Sequence, residues 1–267
     1  KTDTPYDTSY LGGVRWNGRT DDRLPFGPDK IIARRGARQI KPGVTSIFGF
    51  GASSDIPTIL LEDGKFEDGG YRNFQFTTEH GPFGGLVMSG WQFSANKYPE
   101  ALLDGVTQFD FIDGGGCPFA ALAFAEFDAE GNVNVSRFGI ANPGAGGFTD
   151  IAHNARELVF TGTFTTGGLQ IAFEDGKLRI VKEGKVRKFV RKVEQITYPV
   201  RQNVRDRGQV AMLITERAVF EIKGDGLLLT EVAPGIDVRS QVLDLMDVGT
   251  VRVADSLKTM DAALFAT

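Results

Sequence analysis

The sequence has 267 residues, of which 41% are hydrophobic and 24% are charged, so it predicts one large α/β domain or two modest ones. A formal net charge of −4 argues against a general nucleic-acid binder, which would be basic. With one cysteine and two histidines, the sequence excludes an intrachain disulfide and a cysteine-based zinc cluster, and it argues against a histidine-rich metal site.

The amino-terminal part is predicted to be an arm followed by a helix. Residues 1–26 are polar and rich in glycine and proline, which predicts a linker or a surface arm, and residues 27–267 are predicted to form the domain. Apolar positions recur at helical spacing over residues 29–40, and Pro42-Gly43 ends this predicted helix. The single thiol fits a reducing, cytoplasmic setting, and no run of about 18 apolar residues predicts a membrane span.

The next segment predicts a strand, a glycine-rich turn and a helix. The strand at 44–48 leads through Gly49-Phe50-Gly51-Ala52-Ser53 to a helix at 56–62. Backbone amides in such a turn can approach a phosphate at the helix start. A third glycine of the dinucleotide fingerprint is missing, and a tight turn that binds no ligand is the commoner alternative.

A carboxylate follows the next predicted strand. The strand at 74–78 ends in Glu79, and glycines and a proline within 81–85 predict an irregular loop. Ligands of open α/β sheets bind outside the carboxyl ends of the strands, where a carboxylate can act as a covalent nucleophile. The alternative is that Glu79 faces solvent on a turn, as loop carboxylates usually do.

Two more glycine-rich segments are predicted to follow strands. After a short helix at 98–103, a strand at 107–111 leads to Gly114-Gly115-Gly116, whose amides can approach a ligand or stabilise an oxyanion, although a flexible turn is commoner. After strands at 119–127 and 133–135, Gly144-Ala145-Gly146-Gly147 precede a helix at 149–155. Together, the three glycine-rich segments predict a site assembled from several loops at one edge of a sheet.

The last part of the chain is predicted to contain alternating strands. After a buried strand at 158–161, they lie at 169–173, 178–181, 210–215 and 218–222, and a short helix is predicted at 238–246. The basic segment 182–192 predicts a solvated sheet edge rather than a phosphate-binding patch.

From about Asp22 to its end, the sequence resembles the C-terminal half, or β-subunit-like part, of the family I coenzyme A transferases, in the acetate/propionate/3-ketoacid branch. The segments that carry this resemblance are 79–85, 108–116, 131–136, 144–148, 177–185 and 231–237. The resemblance implies an α/β fold with an open, mostly parallel sheet flanked by helices and with antiparallel strands in the C-terminal third.

The resemblance also implies a ping-pong transfer of CoA between an acyl-CoA and a carboxylic acid, through a glutamyl-CoA thioester on Glu79. Gly147 is implied as a catalytic backbone donor, and Gly114 is a further candidate. Coenzyme A is implied as co-substrate, without a metal, and its implied contacts are Gly49, Phe50, Gly51, Ala52, Ser53, Gly115, Gly116, Asn134 and Gly144. The alternatives are an acyl-CoA or ring-opening hydrolase on the same scaffold, and a non-catalytic CoA-binding module.

In this family the carboxylate pocket is built partly by an N-terminal half. An α-type subunit or a cleaved N-terminal half is therefore expected as partner, in a higher oligomer, with no nucleic acid or membrane partner. The sequence departs from the family pattern at Ile47, at 52–55, at His80 and at 86–89. These changes crowd the nucleophile and predict an unusual acyl or acceptor specificity. His80 either tunes Glu79 or makes ordinary loop hydrogen bonds, and the second is the commoner outcome.

Overall fold

The computed structural model describes residues 6–249 and 251–266, so the first five residues of the predicted arm lie outside the described residues. The α-helices are α1 (Pro28–Ala37), α2 (Ala52–Glu62), α3 (Gly105–Asp113), α4 (Phe148–Asn154), α5 (Val200–Arg207) and α6 (Val238–Gln241). The first strands are β1 (Thr45–Phe48), β2 (Gln75–Thr77), β3 (Pro82–Phe83), β4 (Leu86–Val87), β5 (Asn96–Lys97), β6 (Ala101–Leu102), β7 (Phe119–Ala123), β8 (Glu126–Asp128) and β9 (Val133–Asn134). The later strands are β10 (Glu157–Thr161), β11 (Thr165–Thr166), β12 (Gln170–Glu174), β13 (Lys177–Lys182), β14 (Val186–Arg187), β15 (Phe189–Val190), β16 (Val210–Ile214), β17 (Ala218–Lys223), β18 (Gly226–Val232) and β19 (Arg252–Thr259).

A ten-stranded sheet organises the described residues, in the order β19-β18-β17-β16-β10-β7-β1-β2-β3-β6. Its central strands β16, β10, β7, β1 and β2 are parallel. Antiparallel strands extend it on both sides, with β17 and β18 on one side and β3 and β6 on the other. The predicted fold class, an open and mostly parallel α/β sheet with added antiparallel strands, is confirmed.

The central strands are buried because their sequences are nearly all apolar. Ile47, Phe48 and Phe160 have no exposed surface, and the core strand β7 is buried at four successive positions. Strands covered on both faces have this continuous apolar pattern instead of an alternating one. Helices α1 and α2 pack against each other and against the central strands, and α3 packs against α4.

The predicted strand at 107–111 is wrong, because these residues belong to helix α3. The side chain of Asp104 accepts hydrogen bonds from two amides of the first turn, which is a strong start signal for a helix. Within α3 the buried side chains are Gln108 and Ile112, four residues apart, as expected for one face of a helix.

Several other regions differ from the sequence predictions. The predicted helix at 98–103 is wrong, because β6 lies there and pairs with β3. The predicted strand at 119–127 is divided into β7 and β8, because the amides of Phe124 and Ala125 bond to Thr161 and Asn134 instead of continuing one ladder. Helix α5 and strands β18 and β19 were not predicted, since α5 is almost entirely polar and β19 is an exposed edge strand.

Residues 6–26 lie against the domain, and an aromatic contact group holds their middle part. The Trp16 ring is buried and stacks on Tyr98 with a centroid distance of 5.7 Å, and it also contacts Phe66 and Tyr71. The assignment of this arm as a linker stays a prediction. In the part of the chain that the structure describes, no helix is long and apolar enough to cross a membrane.

Two cations are buried near the carboxyl edge of the sheet, with different surroundings. Arg217 is fully buried and paired with Glu216 and Glu183, each at 2.7 Å. The Lys188 ammonium lies 3.9 Å from the centre of the Phe124 ring. Burial lowers the pKa of Lys188 from 10.5 to about 8, because desolvation disfavours the charged form more than nearby Glu216 and Asp29 favour it.

Replacing Lys188 by methionine should remove a pH dependence of stability. The unfolded chain holds the lysine proton more tightly than the folded one, so the wild type gains stability as the pH rises from about 8 to 10.5. Relative to Lys188→Met, its free energy of unfolding should increase by about 2–3 kcal/mol between roughly pH 7 and pH 10. Urea denaturation of both proteins measures this difference, and parallel pH profiles would contradict it.

Candidate active site

Glu79 lies in a tight loop at the carboxyl end of β2. Strands β2 and β3 pair antiparallel through Thr77 and Phe83, so the chain reverses its direction immediately around Glu79. Gly81 has a φ of +95°, and a Cβ at this position would collide with the Leu103 carbonyl oxygen. Only glycine fits this conformation and this close approach.

Hydrogen bonds fix the two residues that precede Glu79. The Thr77 hydroxyl donates to the Pro82 carbonyl at 2.7 Å and closes the loop. The side-chain amide of Gln108 donates to Thr77 Oγ1 at 3.0 Å and to the Thr78 carbonyl at 2.8 Å. All these partners are buried, so hydrogen bonds from α3 hold the backbone that carries Glu79.

The Glu79 carboxylate accepts a hydrogen bond from the backbone of Gly147. The Gly147 amide donates to Glu79 Oε2 at 3.1 Å, at the residue that caps α4. A Cβ on Gly147 would overlap Oε2 and would lie 2.7 Å from Cζ of Phe109. The missing side chain therefore lets the backbone reach the carboxylate. The two residues predicted as catalytic are in direct contact.

An aromatic wall stands beside the carboxylate. His80 Nε2 lies 3.9 Å from Glu79 Oε1. The His80 ring meets the edge of Phe93 at a centroid distance of 6.1 Å, and Phe93 meets Phe50 at 5.6 Å. Phe50 is 61% exposed, so this wall extends from the carboxylate to the protein surface.

A cavity of about 280 Å³ opens next to Glu79. It is lined by Phe48, Gly49, Phe50, Glu79, Phe93, Leu122, Ala123, Val135, Gly144, Ala145, Phe148 and Ile151. Glu79 is the one ionisable side chain among these lining residues, and 27% of that side chain is exposed. A carboxylate beside an apolar cavity can attack an electrophile that is held there.

Part of the predicted CoA-binding loop reaches this cavity. Gly49, Phe50 and Gly144 line it. These residues belong to two of the glycine-rich segments that were predicted to meet at one edge of the sheet. Gly51 is the residue before α2, and Ala52 begins that helix. Ser53 is fully buried, and its hydroxyl lies 2.6 Å from that of Thr161, so it faces the core.

The structure does not bring Asn134 to the cavity. Its amide nitrogen donates to Glu126 Oε2 and to the Arg137 carbonyl, each at 2.7 Å. Its oxygen accepts from the amides of Ser136 and Arg137 at 3.0 and 3.2 Å. These contacts hold the turn that leads into the loop with Gly144 and Gly147.

The structure also does not bring Gly114, Gly115 and Gly116 to Glu79. They follow helix α3 and precede β7, which places them at the amino end of the parallel strands. Glu79 follows β2 at the opposite, carboxyl end. The expectation that these amides lie near the nucleophile depended on the strand predicted at 107–111, which is a helix.

Gln108 and Phe93 were missed by the sequence analysis, although both lie near Glu79. Gln108 was assigned to a strand, where its direction was undefined, and Phe93 lies in a connection without periodicity. The start signal at Asp104 was the one feature that predicts α3 and hence the burial of Gln108. Among residues 6–249 and 251–266, no group of three or more His, Cys, Asp or Glu side chains is arranged to hold a metal ion.

The chain is similar over nearly its whole length to known proteins. It is 41% identical over 261 residues to the acetate CoA-transferase YdiF of Escherichia coli K12, a match that covers 98% of this chain and 48% of that protein. The acetate CoA-transferase subunit beta of Haemophilus influenzae is 25% identical, over 86% of this chain and 94% of the subunit. The chain thus spans about half the length of YdiF. No protein-family model matches the chain.

A solved structure agrees with the fold. The crystal structure of the acyl-CoA transferase YdiF from Escherichia coli O157:H7, as a thioester complex with CoA, superimposes with a TM-score of 0.82 at 39% sequence identity. The superposition covers 92% of this chain and 46% of that one.

Replacing Gly147 by alanine should destabilise the protein through a collision at the carboxylate. The φ of Gly147 is −78°, which alanine tolerates, so the effect comes from the contacts of the new methyl group with Glu79 and Phe109. Overpacking of this kind costs about 1–3 kcal/mol in the free energy of unfolding. The matched control is Gly13→Ala, whose Cβ meets no atom within 4 Å and should change stability by less than about 0.5 kcal/mol. Equal effects of the two substitutions in urea denaturation would contradict the close contact at Gly147.

Proposed function

From its relationship to the family I coenzyme A transferases, whose β-subunit-like half it resembles, we propose that this chain supplies the nucleophile of a CoA-transferase. The observation that carries the proposal is the hydrogen bond from the Gly147 amide to Glu79 at the end of an apolar cavity. The reaction exchanges CoA between an acyl-CoA and a carboxylic acid.

In the first half-reaction, the Glu79 carboxylate attacks the thioester carbonyl carbon of an acyl-CoA. The carbon–sulfur bond breaks, CoA leaves as a thiolate, and an acyl-glutamyl anhydride forms. The thiolate then attacks the side-chain carbonyl carbon of Glu79, which gives a glutamyl-CoA thioester and releases the first carboxylate. A second carboxylate takes CoA by the reverse of these steps. A carboxylate nucleophile is needed because it must itself behave as one of the exchanging acids.

The Gly147 amide is suited to the second of these attacks. When the thiolate adds to the Glu79 side chain, negative charge develops on an oxygen of that same side chain. The amide that already donates to Oε2 at 3.1 Å is then aimed at the developing oxyanion. A preformed donor of this kind stabilises the transition state without reorganisation during the reaction.

The cavity suits the arm of CoA that carries the thiol. Its walls are apolar side chains and glycine backbone from three places, Gly49 and Phe50 after β1, Leu122 and Ala123 at the end of β7, and the segment around Gly144 before α4. An apolar cavity next to the nucleophile would orient the thioester toward Glu79. A thioester complex with CoA is the subject of the related YdiF structure, which supports CoA as the substrate here.

A second half is proposed to complete the enzyme. The chain spans about half the length of YdiF, and it matches a separate β-subunit over nearly the whole length of that subunit. We infer an α-type subunit or N-terminal half that covers the exposed side of the Glu79 cavity and supplies part of the carboxylate pocket.

Replacing Glu79 by glutamine should abolish the covalent adduct. In the enzyme assembled from this chain and its partner half, acyl-CoA should increase the mass of the wild-type chain by that of CoA less one water, since one Glu79 oxygen leaves with the first carboxylate. Glu79→Gln should show no adduct, and CoA exchange should fall by about 10³-fold or more. Intact mass, followed by peptide mapping after borohydride reduction, measures both the adduct and its position.

The control is Glu174→Gln, which makes the same change at the end of the hairpin strand β12, in an exposed side chain. It should form the adduct at the wild-type rate. An adduct in Glu79→Gln, or none in the wild type with CoA bound, would reject Glu79 as the nucleophile. Release of CoA that is as fast without an acceptor carboxylate as with one would identify a hydrolase instead.

Narrowing the cavity should weaken substrate binding without removing the nucleophile. Ala145 lines the cavity and is half-buried, so the larger side chain in Ala145→Leu would occupy space proposed for the CoA arm. We expect KM for acyl-CoA to rise by about tenfold, which corresponds to roughly 1.4 kcal/mol of binding energy. Steady-state kinetics of the assembled enzyme measures this, and an unchanged KM would place the CoA arm elsewhere.

A further inference from the structure

We propose that Gln108 is a positioning residue that holds the Glu79 loop at the correct distance from the Gly147 amide. The inference rests on the proposed role of Glu79 as nucleophile. It concerns a buried side chain that the reaction steps themselves do not use. Gln108 is not among the residues that line the cavity, and its two hydrogen bonds go to Thr77 and Thr78, so it acts through the residues before Glu79.

The first observation is the pair of hydrogen bonds that Gln108 donates. Its Nε2 bonds to the Thr78 carbonyl at 2.8 Å and to Thr77 Oγ1 at 3.0 Å. Thr77 Oγ1 in turn donates to the Pro82 carbonyl on the other side of the loop. The Gln108 amide therefore fixes the two residues before Glu79, and through the Thr77 hydroxyl it is linked to the other end of the turn.

The second observation is the position of the next residue, Phe109. Its ring lies so close to Gly147 that a Cβ there would be 2.7 Å from Cζ. Consecutive residues of α3 thus contact the nucleophile's strand and the residue that donates to the nucleophile. A shift of α3 would change the separation between Glu79 and the Gly147 amide.

Helix α3 is itself well fixed, as such a role requires. The Asp104 side chain caps the first turn of α3, and Ile112 in its last turn is buried. The helix also packs against α4. Helix α4 begins directly after Gly147, so α3 joins the Glu79 loop to the element that carries the donor.

The third observation is that stability alone does not favour a glutamine at this position. Gln108 is fully buried, and its Oε1 has no hydrogen-bond partner among the described residues. A buried polar atom without a partner destabilises the fold, and an apolar side chain of similar length would avoid that cost. The two bonds that the amide donates to the residues before Glu79 are interactions that an apolar side chain could not make.

The test compares two buried glutamines in the assembled enzyme. Gln108→Met keeps the side-chain length and removes both donated bonds. We expect the rate of glutamyl-CoA formation in a single turnover to fall by about 10²-fold, which is the size of effect that a small misplacement of reacting groups produces. KM for acyl-CoA should stay unchanged, because the cavity is not altered.

The matched control is Gln209→Met. Gln209 is also buried, and it donates to the carbonyls of Ala152 and Ala155, each at 2.7 Å, at the end of α4 that lies away from Gly147. Its oxygen also accepts from the Tyr198 hydroxyl at 3.0 Å, so Gln209→Met should lower the thermal midpoint at least as much as Gln108→Met. It should leave the rate of thioester formation near the wild-type value.

The outcomes separate the two proposals. If the wild type forms the adduct and Gln108→Met forms it equally fast, or if Gln209→Met slows it as much, Gln108 has only a structural role. If the wild type forms no adduct, the proposed function fails before the role of Gln108 is tested. Should Gln108→Met not fold, Phe109→Leu tests the same register from the donor side. It should also slow adduct formation at unchanged KM, and a wild-type rate would overturn the inference.

Discussion

The hydrogen bond from Gly147 to the Glu79 carboxylate joins two loops that are 68 residues apart in the sequence. Both loops reach one place because β1, β2, β7 and β10 are parallel, so that the segments after β2 and before α4 meet at the carboxyl edge of the sheet. The distance between the two groups depends on how the strand ends and helix starts pack. It is therefore a property of the core as much as of the loops.

Small residues at two positions make this contact geometrically feasible. Gly81 allows the reversal after Glu79, since a side chain there would strike the Leu103 carbonyl, and Gly147 allows its backbone to lie against the carboxylate. A carboxylate beside apolar walls needs hydrogen-bond donors, because burying a polar group without a hydrogen bond is costly. The amide of Gly147 provides such a donor from a backbone that cannot rotate away, unlike a flexible side chain.

Much of this arrangement is predictable from the sequence, and the reasons are local. Glu79 was identified because a strand pattern ends at it, and the segment 144–147 because glycines precede a helix pattern. Residues 107–111 were misassigned because Val, Thr and Phe favour strands, whereas the Asp104 cap and the burial of Gln108 and Ile112 on one face decide for a helix. Asn134 could not be separated from a ligand contact by sequence, because only the fold shows that its amide group bonds to Glu126 and to the backbone of its own turn. The same error at α3 placed Gly115 and Gly116 beside Glu79 in the sequence-based prediction, whereas they follow a helix and lie at the amino edge of the sheet.

The position of the cavity relative to the sheet indicates different roles for this chain and for the second half of the proposed enzyme. The hydrogen bonds that hold Glu79 and the residue before it come from α3 and from the start of α4. On the other side, the aromatic wall runs outward to the exposed ring of Phe50. The nucleophile and its donor must keep one geometry for every substrate, whereas the acyl group differs between the two half-reactions. A site with fixed hydrogen bonds on the buried side of the carboxylate and an open side toward the protein surface meets both requirements. In the proposed enzyme this chain then fixes the chemistry, and the half that covers the open side selects the acid.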